Sequence, residues 1–491
     1  MNTRKFLIIA ALAMAGSAPA QSPDTLWTRT YGGPGEDFGY GVLQVENEKL
    51  LVVGETDAIG STADAWIIKT NPDGDTLWTR TCGGPQNEAA YSAAQLPGGD
   101  YLITGWTSSS GAGNFDVYLI RMNAHGDTVW TRAWGTANTD YGYSVHPDTA
   151  GCFCVAGFTT GSDPVAGDGY LLKVEADGDT AWTRTFGGTG EDCFRGIDYT
   201  IDGGWILAGW TYSASAGGYD IYLLKVNSTG YPQWSRTYGG SGTDRGFCVC
   251  QTSDGGFIIA GCTNSMGAGE YDAYLVKTDP MGYPEWDRTY GGMASESVNC
   301  VRQTWDGGYI VCGSTYSYGL SDSADAYLVR TDDQGYPVWT KIIGGEGQDS
   351  ASELCITADT GYAVTGNTRS YGAGNYDLWL LRLDTDPYPP PPAVPPDMRA
   401  SPQPNAFALH PPHPNPFNPA TAMSFELRAA SYVTLRVYDT AGREVAVLVN
   451  GWKPAGAHEA TFDGAGLASG IYLVRLEAGN FTQIQKLVLL K

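Results

Sequence analysis

The chain has 491 residues, including 66 Gly and 27 Pro, with 12% aromatic residues. That is enough for two or more units that each bury a core. Its 29 Lys and Arg stand against 53 Asp and Glu, a formal net charge of -24, which repels nucleic-acid phosphates and anionic lipid surfaces and so argues against a nucleic-acid partner.

Residues 1–20 read as a signal peptide. Arg4 and Lys5 precede an apolar run from Phe6 to Ala15, and Ala18-Pro19-Ala20 supplies small residues for cleavage before Gln21. The mature chain is therefore expected to be exported. No later stretch approaches the ~20 apolar residues that a membrane helix needs.

From Trp27 the motif W-T-R-T-Y-G-G begins a repeat. Its tryptophan returns at Trp78, Trp130, Trp182, Trp234, Trp286 and Trp339, in steps of 51 to 53 residues. A β-rich period of that length points to a propeller or a solenoid. In one unit, C-V-C-Q-T from Cys248 reads as an inner strand, Asp254-Gly255-Gly256 as a hairpin turn and F-I-I-A-G-C-T as a second strand. A third strand begins at Tyr271-Asp272, and a fourth begins at Trp286.

Four antiparallel strands make a blade, and seven blades need closing so that no sheet edge is left open. The mature chain begins with a lone fourth strand, Asp24 to Tyr31, and its last repeat stops after a third, from Asp377. The fold class expected over residues 21–385 is thus all-β, a seven-bladed β-propeller closed by its N-terminal strand. The tryptophans are expected to cover the apolar faces between neighbouring sheets.

The repeats resemble the bacterial β-propeller repeat (SBBP) family, through W-T-R-T-Y-G-G-x-G-x-D, D-G-G, G-x-T-x-S and D-x-Y-L-x-K. The resemblance implies the fold and brings no catalytic residues with it.

Ten residues after each tryptophan stands an acid: Asp37, Glu88, Asp140, Asp192, Asp244, Glu296 and Asp349. A propeller would place these carboxylates around the mouth of its channel. They could take a hard cation, so the expectation is no cofactor, with calcium possible. They could equally accept backbone N–H bonds and bolt blades together, a reading favoured because all seven blades share the acid. A second set, Asp64, Asp116, Asp168, Asp220, Asp272, Asp325 and Asp377, opens the third strands.

The loops before this second set are the expected binding surface. Their unrepeated residues include Asn114, Phe115, Tyr219, Tyr271, Tyr316 and Tyr376, beside Asp163, Glu270, Tyr318 and Tyr371. Tyrosines among small residues suit stacking on a sugar or a peptide, although loop tyrosines also simply pack on one another.

The material for catalysis is thin. Only His125 and His146 lie in the repeats, and no G-x-S-x-G elbow occurs. The hairpins N-P-D-G-D-T-L-W and N-A-H-G-D-T-V-W are placed like sialidase Asp-boxes without their spacing, and they lack the ligand ladder of a calcium loop. Two carboxylates would still suffice for a glycosidase. Ten cysteines lie at irregular repeat positions and read as small buried side chains; Cys300 and Cys312 are the pair nearest to opposing one another.

Residues 386–414 are proline-rich, a semi-rigid spacer. Alternating segments from 415 to 491 read as a small Ig-like β-sandwich, with turns at Thr440-Ala441-Gly442 and Ala478-Gly479-Asn480. The tail contains Asn415-Pro416-Phe417-Asn418-Pro419, Val437-Tyr438-Asp439 with Gly442 and Arg443, Ser469-Gly470-Ile471-Tyr472, and an ending from Lys486 to Lys491. It resembles the type A C-terminal sorting domain of type IX secretion, and also the Ig-like fold of flagellar hook-capping proteins. The first resemblance implies passage across an outer membrane by the type IX machinery and a cell-surface or secreted location. An export signal and a propeller disfavour the second.

The sequence thus leads to an exported, non-catalytic propeller that binds a glycan, a protein or calcium. A secreted glycosidase or lyase and a purely structural surface component are the alternatives.

Overall fold

The computed structural model describes residues 22–57, 62–96, 98–148, 151–161, 167–319, 321–384, 408–427, 431–453, 456–478 and 481–491. The expected signal peptide, Asp163, most of the proline-rich spacer and the Gly479-Asn480 turn lie outside them. Two compact units are present, one built on the strands from Thr25 to Leu383 and the other on those from Ala408 to Leu489.

Among the described residues the first unit has seven four-stranded antiparallel sheets. In the first sheet the strands Asp37–Gln44, Leu50–Thr56, Asp64–Thr70 and Thr76–Cys82 lie side by side in chain order. Burial follows that order. Leu50 to Val53 are fully covered, as is Ile67, whereas the fourth strand carries exposed residues such as Leu77. Continuous apolar runs mark strands covered on both faces, here by the sheets on either side.

First strands of successive sheets touch one another all the way round, including that of the last sheet against that of the first. The chain closes this ring itself. Strand Thr25–Tyr31 pairs antiparallel with Asp377–Leu383, with Arg29 opposite Leu380 and Thr30 opposite Trp379. The Trp379 indole N–H donates to the Thr28 hydroxyl at 3.0 Å, and Lys341 donates to the Pro23 carbonyl at 2.7 Å. The architecture is the all-β propeller that the repeat predicts.

The inner strands are longer than their apolar cores imply. The strand read as starting at Cys248 runs Asp244–Gln251, so the acid is its first residue instead of part of a connection. Every inner strand is also bulged, with register shifts such as those between Gly39 and Gly41 and between Phe194 and Gly196.

Six of the seven outer-strand tryptophans pack on the next sheet's outer hairpin. Trp27 meets Gly74, Trp78 meets Gly126 and Trp182 meets Gly230, all glycines with positive φ. The arginine two places on lies over the same indole, as Arg29 does over Trp27 at 5.4 Å, and Arg80 donates to the Gly126 carbonyl at 2.9 Å. The repeated W-x-R is therefore an inter-sheet clasp. All ten cysteines are free thiols, and Cys300 and Cys312 are direct partners across neighbouring strands.

The second unit has a three-stranded sheet, Ala408–Leu409, Ala420–Leu427 and Gly456–Asp463, and a four-stranded one, Glu444–Lys453, Ser431–Asp439, Gly470–Ala478 and Phe481–Leu489. One core joins them, with Phe417, Phe425, Leu435, Phe462, Val474 and Leu487 among its buried members. The Asn-Pro-Phe-Asn-Pro segment is stitched to the final strand. Asn415 donates to the Lys486 carbonyl at 2.7 Å and accepts from the Val488 N–H at 2.8 Å, while Phe417 exchanges backbone bonds with Val488 and Leu490. Asn418 and Pro419 complete that segment, where the Pro419 carbonyl accepts from the Gly464 N–H. Gly442 takes φ +78 in its turn, Gly470 opens a strand, Tyr472 donates to the Ala468 carbonyl, and the Lys491 ammonium reaches the Ala465 carbonyl.

Candidate functional site

The seven acids that follow the tryptophans are buried at 0 or 1% exposure. Each accepts from the N–H four residues earlier: Gly33 to Asp37 at 2.8 Å, Gly188 to Asp192 at 2.9 Å, Gly345 to Asp349 at 2.9 Å. Ser213, Ser265 and Ser370 add hydroxyl bonds to Asp192, Asp244 and Asp349. Each acid's own N–H is taken by the preceding sheet, as in Glu88 to Ala63, Asp140 to Phe115 and Glu296 to Tyr271.

The second set of acids comes up against the first across the turn glycine. Gly83 lies between Asp64 and Glu88, Gly187 between Asp168 and Asp192, Gly239 between Asp220 and Asp244. Burial, then the neighbouring carboxylate, pushes the carboxyls of Asp64 and Asp168 up. Burial and Asp244 do the same to Asp220 against the Ala216 N–H. These are turn-locking pairs. Among the described residues no group of three or more His, Cys, Asp or Glu side chains could hold a metal ion.

The repeat places a different set of side chains on the ring axis. At each bulge one residue is left without a partner, and these are Tyr40, Tyr91, Tyr143, Arg195, Phe247, Asn299 and Ser352. A bulge re-aims a side chain, and all seven line one cavity of about 440 Å³. None of the fourteen repeated acids lines it.

One arc of the cavity is aromatic. Tyr40 and Tyr91 meet edge to face at 4.9 Å, Tyr91 and Tyr143 stack at 5.5 Å, and the Arg195 guanidinium lies 4.3 Å over Tyr143. The Tyr40 hydroxyl donates to Glu55 at 2.9 Å, and that of Tyr91 accepts from the Trp106 indole at 2.9 Å, so both rings are held in place. Burial pushes the phenols of Tyr40 and Tyr143 up, and that of Tyr91 to about 12, which keeps all three neutral. The opposite arc is polar, with Asn299, Ser350, Ser352 and Glu353. Glu353 accepts from Arg302 at 2.7 Å and from the Val42 N–H at 3.1 Å. Burial pushes its carboxyl up against the attraction of Arg302.

The loop residues singled out from the sequence divide into two groups. Phe115 stacks on Tyr141 at 5.5 Å, and Tyr141 on Tyr143 at 5.7 Å, so Phe115 continues the aromatic arc outward. Tyr376 packs on Phe38 at 5.1 Å and donates to Gln348 at 2.7 Å; Gln348 lines the cavity and reaches the Tyr316 hydroxyl at 3.4 Å. Tyr219 lies under Arg245, which also covers Trp210 beside the cavity residue Phe247. Asn114 and Tyr271 are instead tied by their backbones to the next sheet's turn. Tyr318 and Tyr371 donate to the turn carbonyls of Gly291 and Gly344.

The bulge residues were missed because a period-2 strand reading allows no extra residue. Their position is the third after each leading acid, which reads Tyr, Tyr, Tyr, Arg, Phe, Asn and Ser in turn.

Residues 413–490 match the family described as secretion system C-terminal sorting domain. The tail is thus a sorting domain, and the chain is secreted and attached at the cell surface through the type IX system. No helix among the described residues is long and apolar enough to cross a membrane. Regulatory protein FlaEY of Caulobacter vibrioides is 26% identical over 161 residues, covering 28% of this chain and 17% of the relative, so the chain spans less than a fifth of that relative's length.

Similar solved structures at lower identity include the following two. PorZ, described as an essential bacterial surface component of the type-IX secretion system of Porphyromonas gingivalis, is 11% identical with a TM-score of 0.43 over 94% of this chain and 60% of that one. The WD40 domain of Neurospora crassa Pan2 is 9% identical with a TM-score of 0.45 over 74% of this chain and 97% of that one. Neither bears on what this chain binds.

Proposed function

We propose that the protein is a non-catalytic binding or adhesion propeller. In this reading the chain is made as a signal peptide (1–20), a seven-bladed propeller (21–385), a spacer (386–414) and an Ig-like sorting domain (415–491), and its ligand meets the axial cavity and its aromatic rim. One observation carries the reading. The single carboxylate among the cavity's lining residues, Glu353, is held by Arg302, whereas a glycosidase needs two carboxyl groups flanking the scissile bond. A wall of fixed aromatic rings and neutral polar groups suits recognition more than bond cleavage.

The test is a panel of glycans and surface proteins presented to the secreted chain, with product release assayed in parallel. Saturable binding without turnover is expected. Release of cleaved polysaccharide that disappears in Glu353→Gln would instead make the protein a glycosidase or lyase. Absence of any binding would favour a purely structural surface component.

A further inference from the structure

We infer that the axial cavity takes an acidic saccharide, with the ligand's carboxylate on Arg195 and a sugar ring against the tyrosine arc; this rests on the binding reading above. Three features select the ligand class.

The first is the wall. Hydroxyl and amide side chains dominate it, and among the described residues Ile197 and Val249 are its only aliphatic members. An apolar peptide side chain would leave that polar wall without partners, at a cost, while a polyol supplies donors and acceptors in every direction. The second is the arc of Tyr40, Tyr91 and Tyr143, whose hydroxyls are partly occupied by Glu55 and Trp106 and whose rings adjoin one another. Pre-fixed ring surfaces of this kind match the C–H face of a pyranose with little ordering cost.

The third is charge. The cavity is lined by two guanidinium groups and one carboxylate, in a chain whose formal net charge is -24. Glu353 claims Arg302 at 2.7 Å. Arg195 has no carboxylate within ion-pair distance among the described residues; its described contact is the face of Tyr143. A guanidinium stacked on a ring keeps its in-plane N–H groups available for a two-pronged bond to a carboxylate. The cavity's 440 Å³ lies within the range of small-ligand sites, about 300–1,000 Å³.

Titration calorimetry on the mature full-length chain tests this with three acidic probes: trigalacturonate, a hyaluronan tetrasaccharide and sialyllactose. Each is compared with its carboxyl-reduced or desialylated neutral counterpart. At least one acidic probe is expected to bind roughly tenfold or more tightly than its counterpart, in line with a charge-assisted bond, and to weaken as salt rises. Arg195→Gln should erase that preference, Arg195→Lys should restore part of it, and neither should move the melting temperature of the free protein.

Equal binding of acidic and neutral forms, or an acidic preference that survives Arg195→Gln, overturns the inference and leaves the binding reading standing. If none of the three acidic probes binds while other glycans or proteins do, the inference fails alone. If nothing in either panel binds, both fail together.

Discussion

Trp182 and Gly230 set the terms at the scale of single residues. The indole of one sheet lies on the hairpin of the next, and a Cβ placed on Gly230 would sit 2.6 Å from it. The same glycine has φ +78, a region that side chains other than glycine enter only at a cost. Gly230→Ala should therefore destabilise the propeller by about 1–3 kcal/mol. Urea denaturation followed by tryptophan fluorescence should show a lower midpoint with an unchanged slope; a midpoint equal to wild type would mean that the clasp does not hold neighbouring sheets. Arg195 belongs at this scale too. It occupies the same place in its strand as tyrosines do in three others, yet its function depends on the one atom group they lack.

At the scale of elements, the glycine turn with its two carboxylates recurs in every repeat, and its chemistry predicts how stability follows pH. Burial and like charge raise Asp64, Asp168 and Asp220. A carboxyl raised in the folded state binds its proton more tightly there than in the unfolded chain. Its contribution to stability is complete below the ordinary carboxylate pKa, about 4, and is lost as pH rises through the raised value. The hairpin acids Asp202, Asp306 and Asp359 behave oppositely. Burial pushes them up, but Thr200, Thr304 and Thr357 together with Lys225, Arg330 and Arg382 hold them below the usual range. They stabilise above about pH 4 and lose that contribution as pH falls below it.

Melting temperature should accordingly rise as pH falls through the raised values toward about 4 and fall below about pH 4, with a smaller rise in Asp168→Asn. A decline all the way from neutral pH to about pH 4 would contradict this account of the turns. The elements themselves were legible because apolar runs, D-G-G turns and spaced tryptophans are local signals. The inner-strand bulge was not, since its backbone register depends on pairing with the second strand. For the leading acids, spacing located Asp37 and Glu88 and their recurrence in every repeat favoured backbone N–H partners, while packing identifies those partners as the turn N–H groups of Gly33 and Gly84.

Across the whole molecule, ring closure converts seven similar sheets into one axis with unlike residues around it. Strict repetition gives the clasps and locked turns, and the departures from it, gathered at the bulges, give the cavity its aromatic and polar sides. The loop residues read from sequence matter to the extent that they extend those sides, as Phe115, Tyr316 and Tyr376 do, while Asn114 and Tyr271 belong to the framework. The sorting tail is a separate matter of delivery, in which Asn415 and Phe417 stitch their segment to the last strand.

The most direct test of ligand binding at the axis is hydrogen exchange on the full chain, with and without whichever ligand from the panels binds. Protection centred on the inner-strand segments holding Tyr40, Tyr91, Tyr143 and Arg195 is the predicted result. Protection confined to the outer strands or to the sorting tail, with these segments unchanged, would contradict it.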